Sequence, residues 1–240
     1  MTFALESSAP HITTASRVEH GLADWGQQPD CLEGPSLSSG KLLHKGPGGI
    51  PEVGIWRCTP GRWPLSIGGE ELCYFGQGRA TYQSDSGEVI EVEPDCLVHF
   101  KAGWKGHCSV RETLQVTYML CEPGQAGPTP QLHQVQSIQQ VKDWGAISTM
   151  IEGESRTSGV LLSREPDGRA ESGIWICTPG LWHCHVTRDE LCHFLSGRCT
   201  YTHESGEVIE ITPDTAAFFP QDWKGTCRVH ETVRKIYMIR

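Results

Sequence analysis

The 240-residue chain has no stretch approaching eighteen consecutive apolar residues, the least a membrane-spanning helix needs. Its first twenty residues show no basic start followed by an apolar run of leader length. A soluble, cytoplasmic protein without a membrane partner is the expectation. Positive charge is also scarce: 20 Lys and Arg stand against 29 Asp and Glu, a formal charge of −9. No basic face is available for a phosphate backbone, which argues against nucleic acid as a partner. The eleven cysteines are odd in number and include no Cys-x-x-Cys pair. That fits neither a complete disulfide framework nor a zinc knuckle, so the thiols are expected to be reduced and mostly to fill small buried spaces.

What the chain does have is an internal repeat. A shift of 119 positions brings Asp24-Trp25-Gly26 onto Asp143-Trp144-Gly145 and Gly54-Ile55-Trp56 onto Gly173-Ile174-Trp175. The same shift brings Ser86-Gly87-Glu88-Val89-Ile90-Glu91 onto Ser205-Gly206-Glu207-Val208-Ile209-Glu210 and Trp104-Lys105-Gly106 onto Trp223-Lys224-Gly225, and the register never slips. Units of solenoids and propellers run about 20–50 residues, so each copy is a whole domain. Residues 122–131, dense in Pro and Gly, read as the linker between a first domain over 1–121 and a second over 132–240.

The class of each domain follows from the 27 Gly, the 15 Pro and the many β-branched and aromatic residues. In the second copy, the runs 173–178, 182–186, 190–195, 198–203, 207–212, 215–219, 226–230 and 233–239 are strand-length and separated by Gly, Pro or Asp. Eight such strands predict an all-β jelly roll in each copy, with a tight hairpin over 204–207. Helix is confined to a short stretch over 137–144.

One constellation has the chemistry of a metal site. His183-Cys184-His185, then four residues and Glu190, then six and Gly197, places two imidazoles two residues apart on a strand. Alternate side chains share a face, so His183 and His185 are expected inside the barrel with Cys184 turned away, and Glu190 on the next strand opposite them. Two imidazoles and a carboxylate suit one divalent ion, Fe, Mn, Ni or Zn.

This spacing resembles the first cupin motif. Gly-Ile-Trp-x-Cys-Thr-Pro-Gly in both copies, with Asp189-Glu190-Leu191-Cys192 and His230-Glu231-Thr232-Val233-Arg234-Lys235 in the second, is similar to the cupin family that includes (S)-ureidoglycine aminohydrolase-like and ethanolamine-utilisation-type proteins. The resemblance implies two tandem double-stranded β-helix barrels. It implies no single reaction, because cupins include lyases, hydrolases, isomerases, dioxygenases, storage proteins and sensors. Such cupins usually bring a fourth ligand from a later strand, and here that position is Gly225. The expected ion has an open side for water or substrate. In the first copy Pro64 and Ser66 replace the two His and only Glu71 remains; His99 and His107 lie elsewhere, so that barrel is read as structural or as a metal-free pocket.

Arg188, Arg198, Tyr201, Lys224 and Arg234 are candidates to orient an anionic substrate, and Cys227 is a candidate to intrude on the metal. His193, of opposite parity to Glu190, is expected to face outward. Trp182, Trp223 and the cysteines at 58, 73, 108, 177, 192 and 227 recur in both copies, which favours packing. The reading is a metal-dependent bicupin, an enzyme acting on a small carboxylate, amide or ureide in the second barrel. The alternative is a non-catalytic bicupin that binds or senses a small molecule. The barrels are expected to pack against each other as the subunits of a single-cupin dimer would; a homodimer of the whole chain is compatible with this and not required by it.

Overall fold

A computed structural model describes residues 12–14, 22–123 and 130–240. Two antiparallel sheets, of ten and nine strands, form two barrels. Corresponding strands of the two copies have the same lengths: Gly61–Ser66 and Gly180–His185, Glu71–Ser84 and Glu190–His203, Lys105–Leu120 and Lys224–Ile239. Two pairs of the predicted runs are fused. Residues 190–195 and 198–203 are one strand, as are 226–230 and 233–239. Register shifts around Ser196 and Arg198 bend these long strands without ending them. Gly197, at φ +85°, sits at that bend, and a β-carbon there would meet the Thr232 carbonyl. The hairpin after His203 is present, closed by the Gly206 amide donating to the His203 carbonyl at 2.9 Å, with Gly206 at φ +89°.

The helix expected over 137–144 is absent. A single 3-10 turn, Val135–Ser137, is followed by the strand Lys142–Ala146, which pairs with Arg156–Arg164. An extended partner strand next to it outweighed the weak local helical pattern. No helix among the described residues is long and apolar enough to cross a membrane.

The barrels are interleaved. Ile12–Thr14 pairs with Thr215–Phe219 of the second barrel, and Gln131–Gln134, which stands 119 residues later, pairs with Cys96–Phe100 of the first. Each copy therefore lends its leading strand to the other sheet. The division at 122–131 separates the copies along the chain and not in the sheets. Of that linker, 124–129 lies outside the described residues.

Three apolar clusters result. One fills each barrel, and a third lies between them, joining Ile55, Leu72 and Met119 to Ile174, Leu191 and Met238. These six are three pairs of repeat partners, Ile55 with Ile174, Leu72 with Leu191 and Met119 with Met238, so the contact is isologous in the manner of a twofold dimer. At about 1.5–3 kcal/mol for each fully buried large aliphatic side chain, this shared face contributes a large part of the stability.

Candidate ligand site in the second barrel

Strand Gly180–His185 presents its faces the opposite way from expectation. Trp182 is buried and Cys184 faces inward, whereas His183 and His185 are exposed. The first copy behaves identically, with Trp63 inside and Pro64 and Ser66 outside. Apolar residues at every second position, Trp63-x-Leu65-x-Ile67 and Trp182-x-Cys184-x-Val186, are the signal that could have set this parity. The His183 backbone is clamped to Thr149, whose hydroxyl donates to the His183 carbonyl at 2.6 Å. His185 stands at the cavity mouth, its Nε2 3.4 Å from Asp222 Oδ1.

Glu190 does point into the barrel, as expected, but it meets a cation there. Lys235 Nζ lies 2.8 Å from Glu190 Oε1 and 3.0 Å from Cys192 Sγ. Its ammonium also sits 4.8 Å from the Trp175 ring centroid and 5.7 Å from that of Phe194. Lys235 is only 6% exposed. Burial alone would raise the Glu190 carboxyl, but the attraction of Lys235 and its hydrogen bond outweigh this and hold it below the ordinary range. Burial likewise works against the Lys235 ammonium, and the contacts with Cys192 and Glu190 carry it well above. Sequence reasoning missed Lys235. Two-residue alternation along that strand puts Lys235 on the same face as Cys227, Val229 and Val233, and that signal could have found it.

His183, His185 and Glu190 therefore do not converge, and the place beside Glu190 is filled by an ammonium, so the donor set does not fit a divalent ion. Gly225 is not a vacated ligand position either. A β-carbon there would run into the Thr202 carbonyl and lie 2.8 Å from the Trp223 ring, and Gly106 has the same relation to Gln83. Close approach of strands requires glycine in both copies. Cys227 is buried in the barrel core, its thiol pushed up first by burial and then by Cys199, so it is an inert neutral group. All eleven thiols are free.

The remaining candidates divide. Arg188 and Tyr201 line the second barrel's cavity, with Arg164, Glu171, Trp144, Trp175 and Tyr237. Arg198 lies outside, paired with Glu231 at 2.9 Å, as Arg79 is with Glu93 and Glu112. Lys224 is exposed. Arg234 donates to the Ile138 carbonyl at 3.2 Å and holds the connecting segment. The cavity measures about 670 Å³, in the range of small-molecule sites. It is lined by three permanent cations, Arg164, Arg188 and Lys235, against two carboxylates, Glu171 and Glu190.

His193 faces out of its own barrel, as its parity requires, but not to solvent. It is buried between the barrels, its Nδ1 3.0 Å from the Thr117 hydroxyl. The same face holds a cluster that sequence reasoning missed: His99 Nε2 is 2.6 Å from Glu70 Oε2 and 3.6 Å from Glu165 Oε1. Glu70, His99 and Glu165 are the one group among the described residues whose ligand atoms are close enough to share a metal ion. Lys101 also pairs with Glu165 and stands 3.7 Å from Glu70. Its ligands come from both copies, so no pattern within one copy could reveal it.

Two jelly-roll barrels, packed through an isologous face and each enclosing a cavity, define a tandem cupin. The EutQ-like cupin domain family matches the chain twice, over residues 45–118 and 164–237, and the chain belongs to that family. No curated protein matches. Among solved structures, the chain is similar to a Pseudomonas syringae protein of unknown function from the DUF861 family, at 15% identity and TM-score 0.74, covering 97% of this chain and 99% of that one. It is similar to Ylba of E. coli at 11% identity and TM-score 0.65, over 99% and 93%. A Bacillus subtilis oxalate decarboxylase with Mn(II) centres aligns at 12% identity and TM-score 0.53, over 95% and 76%. At these identities the likeness is one of fold.

Proposed function

We propose that the chain is a small-molecule-binding bicupin whose second barrel takes a small carboxylate. The observation that carries this reading is the cavity of about 670 Å³ with an excess of fixed cations and the buried Lys235 at its floor. Arg188, whose Nη2 holds the Gly168 and Arg169 carbonyls, and Arg164, paired with Glu171 at 2.8 Å, bring positive charge to the rim, and Trp175 and Trp182 bound an apolar body. Titration of the full chain with short mono- and dicarboxylates, followed by calorimetry, tests it. Saturable binding with one site per chain, weakened at least tenfold in Arg188→Gln, is expected. No saturation with any carboxylate, or undiminished binding in Arg188→Gln, defeats the reading.

The rival reading is a metal-dependent enzyme using His183, His185 and Glu190. It is supported by the sequence spacing and by the manganese in the decarboxylase relative, and it requires both imidazoles to turn inward past Trp182 and Cys184. One bound divalent ion per chain that is lost in His183→Ala would establish it over the first.

A further inference from the structure

The first barrel encloses a second cavity, of about 420 Å³, whose lining differs in charge from that of the first site described. It contains two carboxylates, Glu52 and Glu71, and no Lys, Arg or His. Glu52 is satisfied by Lys45 at 2.7 Å and by the Tyr118 hydroxyl at 3.2 Å. Glu71 has no cationic partner among the described residues; the Cys73 thiol, 3.3 Å away, is its hydrogen-bond donor.

The second copy shows what this arrangement is built to hold. There Glu190, Cys192, Trp175 and Phe194 surround the Lys235 ammonium. Their repeat partners Glu71, Cys73, Trp56 and Phe75 all line the first cavity, and the partner of Lys235 is Val116. The cage is kept and the tethered ammonium is gone. Trp25 adds another aromatic wall at the rim, lying across Gly40. An ammonium against a carboxylate and the faces of electron-rich rings is stabilised by charge and by cation–π attraction, more strongly when water is excluded.

We infer that the first barrel is a binding site for a small organic ammonium ion, whose charged head takes the position that the Lys235 ammonium has in the second barrel. Burial raises the Glu71 carboxyl above its ordinary value while the cavity lacks a cation, with Glu52 adding to the effect and Cys73 opposing it. A bound ammonium restores the ionised form, so binding strengthens as pH rises through that raised value. The site is distinct from the cation-lined cavity of the second barrel, and its test does not depend on that cavity's ligand.

The probe is n-butylammonium chloride, with n-butanol as its neutral counterpart, titrated into the full wild-type chain and read by calorimetry and tryptophan fluorescence. Saturable binding of one butylammonium per chain, with butanol at least tenfold weaker, is expected. Glu71→Gln should lower the affinity at least tenfold. Val116→Lys should abolish binding by supplying the ammonium from within. Absence of saturable binding to wild type, equal affinity for butanol, or undiminished binding in Glu71→Gln overturns the inference. Should Val116→Lys fail to fold, the wild-type titration and Glu71→Gln still decide it.

Discussion

Tyr74 and His193 are repeat partners, 119 residues apart, and they pack on each other between the barrels with ring centroids 4.5 Å apart. The pairing is that of a twofold axis, on which a residue meets its own equivalent. A second pair of contacts follows the same symmetry: His44 stacks on Phe218 at 4.4 Å, and their partners Ser163 and His99 hydrogen-bond at 3.1 Å. The first barrel therefore does for the second what a second subunit does in a dimer.

Acid should loosen this face. Burial lowers the His193 pKa to about 4, with Asp214 and Asp95 opposing the shift, and the neutral ring accepts from or donates to Thr117. A His pKa below its unfolded value of about 6.5 contributes stability that is full above that value and is lost as pH falls towards the folded one. Between pH 6.5 and 4 the loss should be on the order of 3 kcal/mol, from a shift worth about 1.4 kcal/mol per unit. Denaturant midpoints at several pH values should show this fall, and His193→Phe should lessen it; the fall that remains belongs to His99 on the same face, whose pKa burial also lowers to about 4.

Lys235→Met should be severely destabilising. It leaves the Glu190 carboxylate in the barrel with the Cys192 thiol and no cationic partner, a loss of about 3–5 kcal/mol when one member of a buried pair is removed. The double variant with Glu190→Gln should recover part of that loss. Lys235→Val should in addition reproduce the first barrel's empty cage, so that butylammonium stoichiometry rises from one to two per chain.

Glu71→Gln should stabilise the unliganded protein at neutral and alkaline pH. A carboxyl whose folded pKa is raised contributes stability below its unfolded pKa that is lost as pH rises through the folded one. A neutral amide is spared that loss. Thermal unfolding should show a gain on the order of a few degrees at pH 8 and none at pH 4.

Changing His183 or His185 to Ala should alter stability by no more than about 0.5 kcal/mol, the usual range for exposed side chains. Elemental analysis of the purified variants should match that of wild type. A metal lost with either imidazole is the contrary result, and it would show that the strand turns over when loaded.

Gly225→Ala distinguishes a vacant ligand position from a steric requirement. A methyl group directed at the Thr202 carbonyl and Trp223 should cost about 1–3 kcal/mol, as overpacking does. An open metal site would accept it without penalty. Gly106→Ala in the first barrel should cost a similar amount.

The 119-residue period, the all-β class and the tandem barrels were legible because they rest on one-dimensional features: self-similarity, turn residues and strand-length runs. The inward placement of Glu190, Cys192 and Cys227 was legible too, since it needs only alternation along a strand. For His183 and His185 the ligand spacing and the apolar series Trp182-x-Cys184-x-Val186 point to opposite faces, and the apolar series sets the parity in the fold. Alternation shows which side chains share a face and not what covers that face. His193 lies on the outer face of its strand and is nevertheless buried, because the other barrel covers it. Lys235 reads as a surface charge until Glu190, Trp175 and Phe194 are brought around its ammonium. Glu71 reads as a relic until its cage is seen complete but for that ammonium. The sequence by itself determined two equivalent barrels and the residues on each strand face. Which faces meet water, the other barrel or a cavity was decided by tertiary structure, because burial depends on contacts between strands that lie far apart along the chain.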